Sequence, residues 1–172
     1  MDDPNPLAFA KLPLDLLTLL ASRSLHDALQ PLHHLIRLLH ILSAGGFFGA
    51  VGVLDLRLLR ARPWPSLAVL AGHVHGWLVW SFGIAMLTGV ALFAYDPIRV
   101  GAHAYFTPKL ALLLLALGHA YRLHRGGFAG AMTAAIIPPR ARLAGAISLA
   151  AWIGVMVCAS LNQEAAPRVP LW

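Results

Sequence analysis

Charged residues are scarce in this sequence. Asp, Glu, Lys and Arg make up 12% of its 172 residues, and only seven are acidic. Soluble domains carry about twice that charged fraction. With 59% hydrophobic residues, the chain is too apolar for an ordinary water-soluble domain. Cysteine is nearly absent: Cys158 stands alone, which excludes a disulfide scaffold, and the high hydrophobicity excludes disorder. There is no phosphate loop, no nucleophile–base arrangement and no pair of carboxylates inside an apolar run, since Asp55, Asp96 and Glu164 all stand at the ends of such runs. The net charge of +6 is not laid out as a basic stripe with interleaved aromatics, so nucleic-acid binding is excluded as well. A membrane protein of one domain remains, and the lipid bilayer is its first partner. At about 20 residues per crossing, it holds a handful of spans.

Apolar runs and breakers place those spans. Leu38–Leu54, Leu67–Tyr95 and Leu143–Gln163 contain no Asp, Glu, Lys or Arg. The run Leu110–Tyr121 is pure but short, flanked by Lys109 and Arg122, whose long side chains can snorkel; its helix can also begin near Ala104 despite Pro108. Arg62-Pro63-Trp64-Pro65 ends the first span and Asp96-Pro97 the second. Gly126-Gly127 follows the third and Pro138-Pro139 precedes the fourth. The segment FAGAMTAAII between the last two reads as a loop or a short interfacial helix. At the N-terminus, MDDPNP lacks the basic start of a signal peptide, and Leu14–Ala21 is too short to cross and reads as an interfacial helix. The expected fold is all-α: an integral membrane four-helix bundle over residues 35–163, preceded by a tail with the interfacial helix (1–34) and followed by a short tail (164–172). Arg57, Arg60 and Arg62 lie in one connection, and Arg122, Arg125, Arg140 and Arg142 in another. The positive-inside rule puts these connections in the cytoplasm and both termini outside it.

Nine histidines in so apolar a chain are the main chemical clue. His26, His33 and His34 precede the first span, and His103 falls in an outer loop. His40 lies in the first span, His73 and His75 in the second, and His119 and His124 in the third. An imidazole within a span is costly and usually faces the protein interior. Centring each span between its charged ends, at about 1.5 Å per residue, puts His73, His75, His119 and His124 in the cytoplasmic half. It puts His40 in the outer half, level with Lys109. Imidazoles from facing helices at one depth suit a b-type haem, whose iron takes neutral ring nitrogens while the helices supply an apolar slot. Gly72, Gly76 and Gly83 on one span and Gly45, Gly46, Gly49 and Gly52 on another read either as helix packing or as room for such a flat group. A second reading gathers His40, Met86, Met156 and Cys158 in the outer half as soft ligands for copper. A third treats the histidines as hydrogen-bonded parts of a non-catalytic membrane scaffold or subunit.

Several stretches carry a resemblance. LHILSAGGFFGAVGVLDLRLL, led by His40 and closed by Asp55-Leu56-Arg57, resembles the first span of a family of small four-helix bacterial inner-membrane proteins. That family is itself similar to the membrane domain of copper resistance protein D. WSFGIAMLTGVALF, TPKLALLLLALGHAYRLHR and SLAAWIGV resemble its second, third and fourth spans, so the likeness covers about residues 35–160. A more distant similarity is to the haem-binding four-helix protoporphyrinogen oxidases, which also have a histidine opening the first span and a lysine then a histidine in the third. The resemblance implies a bacterial inner-membrane location and singles out His40, Lys109 and His124, whereas depth pairs helices two and three. Both sets stay open. The function expected is haem b binding for electron transfer or membrane redox chemistry, with a redox partner protein, a quinone or a second copy of the chain as further partners. Copper handling is the alternative.

Overall fold

The computed structural model describes residues 11–60, 66–126 and 137–162, with the side chains of 124–126 outside that set. The described residues are helical and contain no strand. Three short elements come first: α1 (Leu14–Leu20), α2 (Arg23–Leu29) and a 3-10 turn, Gln30–Leu32. Ser22 caps α2 by accepting from the Leu25 N–H. The long helices are α3 (His33–Leu59), α4 (Leu67–Tyr95), α6 (Phe106–Gly126) and α7 (Pro139–Leu161), with the short α5 (Pro97–Gly101) between α4 and α6. Helix ends follow the breakers: Asp96 caps α5 ahead of Pro97, and Pro138 is extended ahead of Pro139 at the start of α7.

Three helical stretches are long and apolar enough to cross a membrane: α2 through α3, α4 and α7. Helix α6 is not among them, because Lys109, Arg122 and Arg125 crowd its apolar stretch from both ends. The α3 helix also starts ahead of the first apolar run. Pro31 sits in a 3-10 turn that carries α2 into α3 without a break, so His33 and His34 are helical. The short helix expected over Leu14–Ala21 is found as α1. Outside the described residues fall the turn prolines 63 and 65, most of FAGAMTAAII, the first ten residues and the C-terminal tail.

Helix α3 packs on α4 and on α7, and α7 packs on α6. The main core joins Phe47 and Val51 of α3, Ala116 of α6, and Trp152 and Val155 of α7, with Leu78 and Phe82 of α4 against it. Phe47 meets Trp152 edge-on at 4.6 Å. Small residues allow the closest approaches. A Cβ on Gly145 would lie 2.8 Å from the Leu58 Cβ and 3.2 Å from the Asp55 carbonyl, so α3 and α7 touch backbone to backbone there. By contrast, Gly45, Gly49, Gly52, Gly72, Gly76 and Gly83 have no neighbour within 4 Å of such an atom; only Gly46 of that set is a contact, with the Trp77 indole donating to its carbonyl at 3.2 Å.

The short helices cap one end. Leu17 is fully buried against Gly101 of α5, and the Leu12 N–H donates to the Gly101 carbonyl at 3.3 Å. The Tyr95 ring stacks on both His26 and His33, each at 4.3 Å, and His26 Nδ1 donates to the Tyr95 carbonyl at 2.8 Å. Leu12 and Leu17 are thus held on α5, and His26 and His33 on the end of α4.

Candidate functional site

His40 is the histidine held most specifically by another helix. Its Nδ1 lies 3.0 Å from the Ala85 carbonyl and 3.1 Å from the Thr88 hydroxyl, both on α4. Thr88 directs its own hydrogen to the Ile84 carbonyl at 2.6 Å, so both neighbours of Nδ1 are acceptors. Nδ1 therefore carries the proton, and Nε2 keeps the lone pair. Metal-ligating histidines are prepared in this way, with the second nitrogen oriented by a backbone carbonyl. Gly89 makes the approach possible: a Cβ there would sit 3.1 Å from the His40 Cε1.

Two groups from other helices share this level. Lys109, half-buried in the first turns of α6, lies within electrostatic reach of the His40 ring and of the Cys158 thiol near the end of α7. A histidine, a threonine, a lysine and a cysteine from four long helices thus converge at the end of the protein bearing α5. The charge has a chemical meaning. An ammonium in reach of both His40 and Cys158 repels a bare metal cation and favours a group that brings an anion.

The other expected histidines lie elsewhere. His73 is exposed, and its Nδ1 donates to the Val69 carbonyl of its own helix at 2.7 Å; His75 is exposed beside it. His119 turns to α7, where Nε2 donates to the Ala144 carbonyl at 3.0 Å. Because α4 packs on α3 while α6 packs on α7, His119 faces α7 and not His73 or His75. The side chain of His124 lies outside the described residues. Its position on α6, 15 residues beyond Lys109, is about 22 Å further along the helix. For the copper set, Met86 and Met156 are each 37% exposed. Met156 and Cys158, two residues apart on α7, face different ways. Among the described residues no three His, Cys, Asp or Glu side chains gather around one point.

A second polar cluster lies at the opposite end. Asp55, Arg57 and Ser148 are buried, and the Ser148 hydroxyl donates to the Asp55 carboxylate with His119 in electrostatic reach. Asp55 and Arg57 read from the sequence as residues closing a span, so their burial is new. The signal was present as two opposite charges within LDLRLL; its missing partner was Ser148, 93 positions later.

These contacts fix the helix directions. Lys109 is level with His40 and His119 with Asp55, so α6 runs alongside α3 in the same sense. Helix α7 runs the other way, with Ser148 at Asp55 and Cys158 near Lys109.

The chain matches no family model, no curated protein sequence and no solved structure. The likeness drawn above therefore stands on its own sequence motifs.

Proposed function

We propose that the chain is a bacterial inner-membrane protein of four spanning helices that holds haem b through His40 and passes electrons within the bilayer. The observation that carries this reading is the His40 imidazole, fixed by Ala85 and Thr88 so that Nε2 is free to ligate, with the Lys109 cation in reach. The residues fit one protein ligand to the iron. His73 and His75 are exposed and His119 turns to α7, so this reading uses His40 as the one ligating histidine. The haem would supply one-electron redox chemistry. The chain's own residues would do the rest: His40 ligates, Ala85 and Thr88 hold its tautomer, Lys109 pairs with a propionate, and Phe47, Phe82 and Trp152 keep the neighbourhood apolar. A fourth span is supported by α6 running beside α3 from the level of His40 to that of Asp55. Its charged ends are tolerated because α7 covers one side of the helix.

The test is the visible spectrum of the protein purified after expression with ample haem, oxidised and reduced. A Soret band is expected in the wild type, lost in His40→Ala and kept in His73→Ala and His75→Ala. Lys109→Ala should keep the ligand but weaken retention about tenfold or more, the worth of a charge-assisted hydrogen bond. A wild-type protein without a Soret band overturns the reading.

A further inference from the structure

The polar cluster at the far end of α3 is separate from the His40 site and serves a purpose of its own. Asp55 is only 5% exposed. One carboxylate oxygen is engaged with Ser148, while Oδ2 is buried with no hydrogen-bond partner. A bare carboxylate oxygen in an apolar interior is costly. The surroundings are otherwise closely built: Gly145 brings the α7 backbone against Asp55 and Leu58, and Ser148, 7% exposed, stands one turn along the same helix.

Three ligands can relieve an orphaned carboxylate oxygen: a proton, a metal cation or a donor from another molecule. Space selects among them. Arg57 is buried two residues away, with its guanidinium reaching the Arg60 carbonyl at 3.4 Å, and His119 of α6 is within electrostatic reach of the carboxyl. From α7, Ser148 faces it, while Arg140 and Arg142 are exposed; on α4, His73 is exposed and engaged with Val69. The close contact of α3 and α7 at Gly145 leaves a metal's coordination shell or a second molecule little room. A proton needs no space and no coordination shell.

We infer that Asp55, Ser148 and His119 form a proton-binding site in which Asp55 Oδ2 takes a proton from the water at the end of the helices bearing Arg60. Binding forms one O–H bond, neutralises the carboxylate and moves no electron. The proton leaves by the same bond breaking. Ser148 keeps its hydrogen bond in both states, to a carboxylate oxygen or to the carbonyl oxygen of the acid. His119 is a positioning group in electrostatic reach, with its Nε2 already committed to Ala144.

Infrared difference spectroscopy of the full chain in nanodiscs, taken as pH is stepped, tests the site directly. The wild type should show one buried carboxylic-acid carbonyl band that appears on acidification and is absent from Asp55→Asn. In Ser148→Ala the same band should move to higher frequency, because its carbonyl loses a hydrogen bond. That shift stands as the test even where Asp55→Asn does not fold. No such band in the wild type, an unchanged band in Asp55→Asn, or an unshifted band in Ser148→Ala overturns the proposal. So does a carboxylate band that follows sodium concentration at fixed pH.

Discussion

At the scale of single residues, this molecule is a study in how few polar groups an apolar interior holds and how each is used. His40 is accommodated because α4 offers a carbonyl and a threonine oxygen at one point. Asp55 is accommodated because α7 offers a hydroxyl. Both stand out in the sequence, His40 as a polar residue within an apolar run and Asp55 as the acid that closes it. Their partners do not: Ala85 and Ser148 are 45 and 93 positions away, and depth alone does not say which way a helix is turned about its axis. The glycines show the same division. Replacing Gly145 with Ala forces a Cβ to within 2.8 Å of the Leu58 Cβ, an atom that cannot move without its helix. We expect a loss of about 1–3 kcal/mol, the usual cost of overpacking. Gly49→Ala, which meets nothing within 4 Å, should be neutral or stabilising, since Ala is the better helix former. Unfolding of the two variants in one detergent, followed by circular dichroism, compares them.

Among the elements, the short helices show where pattern reading ran out. Helix α1 was legible as an apolar stretch too short to span, but its docking was not. Leu17 is fully buried, yet it reads in sequence as one apolar residue among many in LDLLTLL. Its seat exists because Gly101 has no side chain where α5 passes. Leu17→Ala should release α1 from α5 at a cost of about 2–5 kcal/mol. Limited trypsin digestion is the measurement: cleavage at Lys11 and Arg23 should quicken at least about tenfold, with the long helices still protected. Equal cleavage rates in variant and wild type would show that α1 is held by something other than Leu17. The continuity of α2 into α3 was also hidden, because Pro31 marks a break in sequence whereas the structure absorbs it in a single 3-10 turn.

For the whole molecule, the question is how many times the chain crosses. The apolar part of α6, Leu110–Tyr121, is 12 residues, about 18 Å, well short of the roughly 30 Å hydrocarbon layer. Composition therefore finds three helical stretches able to cross, and the proposed fourth rests on the parallel course of α6 and α3. Cysteine labelling in a Cys158→Ser background separates these. With four crossings, probes at His103 and Asn162 react from the same side of intact spheroplasts and one at Arg60 only after lysis. With three, Asn162 reacts from the side opposite to His103. The expected orientation rests on Arg57, Arg60, Arg140 and Arg142, which the antiparallel course of α3 and α7 brings to one end.

The contact between α3 and α7 also governs how the protein is made. Helix α7 follows α3 in the chain, so the seam that buries Asp55 beside Ser148 closes only once α7 has been made. Until then Asp55 and Arg57 have no α7 to cover them, and the nascent chain presents a carboxylate and a guanidinium to the insertion machinery or to lipid. A chain truncated before α7 keeps that exposure, so the burial of this pair depends on a helix made some eighty residues after it.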